Sequence, residues 1–157
     1  MTEADRYDGQ LAPFLDLLLD RVQLGASEVV LDVGCGCGAT TLDAARQSAS
    51  AVGVDVSDAM LGVGRQRADV AGVMNVEFVH GDAAHYQFAA GSFDAIVSRF
   101  GVMFFADPVV VFTNLRRALR VGGRMAFVCW QGLAANPRLL VPDVAAAPLQ
   151  RWSCTTC

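Results

Sequence analysis

Residues 30–40 read Val-Leu-Asp-Val-Gly-Cys-Gly-Cys-Gly-Ala-Thr, and no other segment limits the possible folds as much. The uninterrupted apolar run at 29–31 predicts a strand buried on both faces. Glycines at 34, 36 and 38 then allow a tight turn and a close backbone approach to a ligand. A helix predicted over residues 40–47 turns its free N–H groups toward that bend, where an anionic group is favoured.

The alternation continues along the chain. Residues 11–24 carry apolar positions at helical spacing and predict an opening helix ending at Gly25. Residues 51–54 predict a second strand ending at Asp55, and Ser57 caps a helix running to about residue 71. A third strand over 75–79 leads into His80, Gly81 and Asp82, with a loop over 83–92 and a fourth strand over 93–98. Asp107 and Pro108 start a helix predicted to stop at Gly122 and Gly123, and residues 124–130 form the fifth strand. This pattern predicts an α/β fold: a doubly wound, Rossmann-like, mostly parallel sheet with right-handed crossovers. Ligands bind such sheets at the carboxyl ends of the strands, where Asp32, Asp55, Asp82 and Ser98 lie. The expected organisation is a helical segment over 1–27, the Rossmann-like unit over 28–130, and an irregular tail over 131–157.

Composition removes other classes. The chain has 157 residues, 54% hydrophobic and 18% charged, which excludes a disordered or highly charged protein. The longest run without a charge, residues 125–137, is 13 residues and too short to span a membrane. The first ten residues carry acids and no apolar core, so a cytoplasmic location is expected. All 12 basic residues are Arg, and the net charge of −4 divides into −9 over residues 1–107 and +5 over residues 108–157. No aromatic-interleaved basic stripe accompanies the positive half, so no nucleic-acid partner is expected; Arg116, Arg117 and Arg120 read as the last turns of a helix. Five cysteines without a signal peptide argue against a disulfide framework. Cys154 and Cys157 form a CxxC lacking a redox context, and no metal site is expected.

Two cofactors fit the glycine turn. Gly34-x-Gly36-x-x-Ala39 satisfies a dinucleotide fingerprint, and Asp55 is placed to accept ribose hydroxyls. Asp32 discriminates between them. A carboxylate two residues before the first glycine is unhelpful beside a pyrophosphate, but it suits the ammonium and sulfonium of S-adenosyl-L-methionine. In order, Asp32-x-Gly34-x-Gly36-x-Gly38, Gly53-Val54-Asp55, Gly81-Asp82-Ala83, Phe93-Asp94-Ala95-Ile96-Val97-Ser98 and Leu119-Arg120-Val121-Gly122-Gly123-Arg124 resemble the motifs of class I S-adenosylmethionine-dependent methyltransferases. The similarity is to the ubiquinone/menaquinone-biosynthesis type and covers roughly residues 7–135.

The resemblance implies a transferase that methylates a small-molecule acceptor, and it implies site roles. Asp32 and the backbone of Gly34, Cys35 and Gly36 would hold the methionine end. Asp55 would take the ribose, and Val56 and Met60 would pack on the adenine. Asp82 would accept from the adenine amino group, with the Ala83 N–H at a ring nitrogen. Ser98 would offer its carbonyl to the ammonium, and Arg99 and Phe100 would border the acceptor pocket. Structural roles stand beside these. Asp55 caps the turn before Ser57, Asp82 is a turn residue, Met60 is core, Arg99 pairs with an acid, and Tyr7 packs at the edge. His80 and His85 read as structural, and no catalytic base is named. The family usually has two further strands after the fifth, which residues 131–157 do not resemble. The expectation is therefore a truncated or frameshifted chain with an apolar strand-five edge open to self-association. The alternatives are an NAD-dependent oxidoreductase and an inactive or partner-dependent remnant.

Overall fold

The computed structural model describes residues 3–131, with side chains from Asp8 onward. The Tyr7 side chain, the Cys154 and Cys157 pair and the tail over 132–157 lie outside the described residues. Helix α1 (Glu3–Val22) precedes β1 (Val29–Val33), α2 (Ala39–Gln47), β2 (Ser50–Asp55), α3 (Asp58–Ala71), β3 (Val76–His80) and β4 (Phe93–Arg99). A 3₁₀ turn (Gly101–Phe104), α4 (Pro108–Ala118) and β5 (Leu119–Val128) complete the described chain. The five strands pair in parallel in the order β3-β2-β1-β4-β5. The order reverses between β1 and β4, so the predicted doubly wound sheet has its switch point directly above Asp32 and Ser98.

Period-two alternation divides the central strands between two cores. Val30, Ala95 and Val97 pack with Leu15, Leu18, Leu19 and Val22 of α1 and with Ala44 and Ala45 of α2. Leu31, Val33 and Ile96 pack on the other face with Val111 and Leu115 of α4. A third cluster seats α3 through Leu61 and Ala68 against Leu42 and Phe78. Both faces of the sheet are covered, which accounts for the low charged fraction. The predicted caps are present: Ser57 accepts from the Met60 amide and Asp107 from the Val110 amide.

Three elements differ most in their bounds from the sequence reading. The first helix begins at Glu3 and ends at Val22, earlier at both ends than predicted, with Pro13 inside it. The helix after Pro108 ends at Ala118 rather than at Gly122 and Gly123. Those glycines do not stop a helix. Leu119 is already extended and pairs with Phe93, and an irregularity in the β4–β5 register places Arg124 opposite Ala95. Residues 120–123 fill that excursion, and Gly122 supplies its left-handed backbone at φ 81°. The fifth strand therefore ends at Val128, not Trp130. Arg120 consequently sits in β5, not in a helix terminus, and pairs with the buried Asp94. The other carboxylate oxygen of Asp94 accepts the Val29 amide at 2.6 Å, so this motif residue ties β4 to the entrance of β1, at the end of the sheet away from the glycine turn. Among the described residues, β5 pairs only with β4.

Arg124 joins three segments. Its guanidinium meets both oxygens of Glu28 at 2.7 Å and donates to the Val22 and Gln23 carbonyls at the end of α1. That pairing, with the Gly25 amide, holds the Glu28 carboxyl at about 2, below its ordinary 4.5. In the window from pH 4.5 down to about 2 the unfolded chain binds the proton and the folded chain does not. Stability from this group is therefore complete above pH 4.5 and is lost as pH falls through the folded value. After solvent screening the loss is about 1–2 kcal/mol. Urea unfolding at pH 5 and pH 3 checks this: Glu28→Gln is expected to flatten the dependence on acid, and an unchanged dependence would assign it to other carboxylates.

Candidate cofactor and acceptor site

The carboxyl ends of β1, β2 and β4 open onto a cavity of about 1020 Å³. Its floor is the turn from Gly34 to Gly38. Gly34, Gly36 and Gly38 all have positive φ, so this turn needs residues without a Cβ. The space is shared closely. A Cβ on Gly38 would lie 2.6 Å from the Phe78 ring, and one on Gly34 would lie 2.7 Å from the Gly101 Cα.

Asp55 closes the second side. One carboxylate oxygen accepts the Gly36 amide at 2.8 Å and the other accepts the Ser57 amide at 2.9 Å. Asp55 therefore caps its turn and also faces the cavity. Asp82 behaves alike. It accepts the Ala84 amide at 2.9 Å, meets the His85 ring Nδ1 at 2.9 Å, and lines the cavity. These contacts, the Ala84 amide first, lower its pKa. Val56 and Met60 line the space between the two carboxylates, and both remain exposed. Met60 is thus not a core residue.

Of the ten residues expected at the cofactor, Gly34, Cys35, Gly36, Asp55, Val56, Met60, Asp82 and Ala83 line this one cavity. Asp32 and Ser98 lie behind it. Asp32 is buried and accepts from the Thr41 hydroxyl at 2.7 Å, while its Oδ1 has no protein partner. Burial raises its pKa to about 6, with the Thr41 hydrogen bond opposing. Ser98 donates its hydroxyl to the Val33 carbonyl at 2.7 Å and so fixes β4 to the last residue of β1, directly before the turn. Cys35 is a buried thiol whose pKa is pushed up by burial and then by Asp32 and Asp55, so it is no nucleophile. Gly53 makes room for it: a Cβ there would meet both the Cys35 Sγ and the Thr41 Oγ1 at 2.8 Å. His80 does not line the cavity; its Nε2 holds the Val56 carbonyl at 2.9 Å.

The third side comes from the turn after β4. Phe100 has a left-handed backbone at φ 65°, costly for an aromatic residue, and it places Gly101 against Gly34. The Phe100 amide donates to the Val128 carbonyl, and its ring stacks on Trp130 at 4.8 Å and meets the edge of Phe14 at 5.3 Å. Phe104, Phe105, Val110 and Val111 extend an apolar wall from there, with Leu11 of α1 also lining the cavity. Sequence reasoning missed Asp8, Leu11, Thr41 and Gly101. A hydroxyl two positions into the helix after a glycine turn is the one local signal that pointed to Thr41.

The methyltransferase-domain family matches residues 30–123. The chain belongs to that family. It is a class I S-adenosylmethionine-dependent methyltransferase in fold and motif, and S-adenosylmethionine is the family's cofactor. The demethylmenaquinone methyltransferase of Thermobifida fusca is 32% identical over 142 residues, 85% of this chain and 60% of that protein. The YcgJ protein of Bacillus subtilis superposes with a TM-score of 0.71 at 32% identity, over 73% of this chain and 49% of that one. A Haemonchus contortus phosphoethanolamine N-methyltransferase, solved with S-adenosylhomocysteine, gives a TM-score of 0.71 at 25% identity, over 82% of this chain and 32% of that one. The methyltransferase chain here spans 40% to 60% of the first curated relatives it matches. No helix among its described residues is long and apolar enough to cross a membrane.

The cavity fits the family's cofactor. A glycine cradle, two carboxylates along one wall, and a buried carboxylate with a free oxygen beneath the turn suit an adenosine with a cationic tail. The buried Asp32 carboxylate beneath the turn would oppose the charge of a pyrophosphate.

Proposed function

We propose that this chain transfers a methyl group from S-adenosylmethionine to a small, largely apolar acceptor. The observation carrying the reading is the cavity itself, in which eight of the expected cofactor residues share a wall with an aromatic and aliphatic face. The cofactor supplies a methyl carbon already activated by a sulfonium. The chain's own task is then to orient the partners and exclude water.

In this reading Asp55 holds the ribose, and Asp82 with the Ala83 amide holds the adenine edge. Val56 and Met60 cover the base, the Gly34–Gly36 backbone lies along the amino-acid end, and Asp32 and the Ser98 carbonyl favour the ammonium from below. Phe100, Phe104, Phe105 and Val110 face the acceptor. That wall offers flat apolar contact and little charge, which suits an aromatic ring such as a quinone precursor. The relatives that act on demethylmenaquinone support that substrate class. The oxidoreductase alternative receives no support from the geometry.

Calorimetric titration tests the reading. S-adenosylmethionine and S-adenosylhomocysteine are expected to bind and NAD is not. Transfer of labelled methyl to a hydroxylated aromatic acceptor should follow. Binding of NAD alone would overturn the proposal.

A further inference from the structure

The charges lining the cavity are unbalanced. Asp8, Asp55, Asp82 and Asp107 contribute carboxylates, and Arg99 is the only arginine among the lining residues. The cofactor of the proposed reading carries two cationic centres and one carboxylate. The acids answer the cations. For the carboxylate, the lining offers the guanidinium of Arg99.

The surroundings of Arg99 show which end of the cavity it serves. Its Nη2 donates to Asp8 at 2.8 Å, and the other oxygen of Asp8 takes Arg67 Nη1 at 2.7 Å. Arg67 Nη1 also donates to the Cys37 carbonyl at 3.1 Å. Arg99, Asp8 and Arg67 therefore form a chain that reaches the Gly34–Gly38 turn, at the opposite end of the binding wall from Asp82. The side chain of Arg99 is nine-tenths buried, and its Nη1 has no hydrogen-bond partner. The unpartnered Oδ1 of Asp32 lies beneath the same turn. Asp8 holds one amine of the guanidinium in place and leaves the other to be satisfied. An unpaired buried donor costs free energy that a ligand carboxylate would recover.

We infer that Arg99 anchors the carboxylate of the cofactor's amino-acid end, with Asp8 as the positioning residue, and so makes this site selective for the complete amino-acid tail. Arg99 then serves the cofactor and not the acceptor pocket. The inference rests on the proposed cofactor reading and goes one step past it.

The test compares three ligands by calorimetry. S-adenosylhomocysteine has the whole tail, its decarboxylated analogue lacks only the carboxylate, and 5′-methylthioadenosine lacks the tail. The wild-type chain is expected to prefer S-adenosylhomocysteine to the decarboxylated analogue by about 10–100-fold, the scale of a charge-assisted hydrogen bond. Arg99→Met should abolish that preference and leave 5′-methylthioadenosine affinity within about 2-fold, the scale of a few tenths of a kcal/mol. A preference that survives in Arg99→Met, or equal weakening of all three ligands, would overturn the inference while the cofactor reading stands. Absence of discrimination by the wild-type chain would overturn it without any variant. If the wild-type chain binds none of the three, the cofactor reading falls and this inference with it.

Discussion

Gly101→Ala is expected to cost the chain its cofactor affinity and much of its stability. A Cβ at that position would stand 2.5 Å from the Val33 carbonyl, 2.9 Å from the Gly34 Cα and 2.9 Å from the Ser98 hydroxyl. Two of these are backbone atoms, one at the end of β1 and one in the glycine turn, and the third is anchored to Val33. None is the free end of a flexible side chain, so relief requires the turn and the end of β4 to separate. Overpacking of this kind costs roughly 1–3 kcal/mol, and more where backbone must move. Set against a typical total of about 5–15 kcal/mol, that leaves a folded but weakened protein. The displaced turn is the cavity floor, so S-adenosylhomocysteine should bind more than about 100-fold more weakly, equivalent to roughly 2.7 kcal/mol. Gly62→Ala supplies the control. It lies in α3 with nothing within 4 Å of its would-be Cβ, and it should stabilise the helix by about 0.5–1 kcal/mol. Thermal unfolding and calorimetry on both variants decide the matter: wild-type affinity in Gly101→Ala would show that the turn is not held by this contact.

That contact also shows what sequence reasoning can and cannot reach. The succession of strands and helices, the glycine turn and the place of Asp55 at the end of β2 were legible because each depends on neighbours within a few residues. Strand propensity, positive-φ glycines and a turn-capping carboxylate are local properties. Gly101 was not legible as a packing partner of Gly34, nor Asp8 as a partner of Arg99, because 67 and 91 residues separate them in sequence and only the sheet order joins them. Asp32 and Ser98 show a subtler limit. Their position at strand ends was read correctly, but strand alternation does not say whether a side chain faces the ligand or the packing beneath the turn. Thr41 takes one oxygen of Asp32 and leaves the other without a partner, and the Val33 carbonyl takes the Ser98 hydroxyl. The β5 boundary was misread because Gly122 and Gly123 look alike as a helix stop and as a strand irregularity. Only the pairing of Leu119 with Phe93 separates the two.

Asp55→Ala is the sharpest test of the adenosine end, since it removes two functions at once. It leaves the Gly36 and Ser57 amides without their carboxylate acceptor. On the proposed reading it also removes the acceptor for the ribose hydroxyls. Hydrogen bonds to a charged group contribute roughly 1.5–3 kcal/mol each. Loss of the ribose contact together with loosening of the Gly36 turn should weaken S-adenosylhomocysteine about 100-fold, or roughly 2.7 kcal/mol. Asp55→Asn retains one acceptor oxygen and is expected to fall about midway, near 10-fold. A purely structural role would also weaken binding, so affinity alone does not distinguish the two. Comparison of 5′-methylthioadenosine with its 2′-deoxy counterpart does. The wild-type chain should prefer the ribose by about 10-fold, and in Asp55→Ala the preference should vanish because the group that reads the hydroxyl is gone. A ribose preference that persists in Asp55→Ala would confine this carboxylate to capping the turn, and the hydroxyls would then have to be read from elsewhere along the cavity wall.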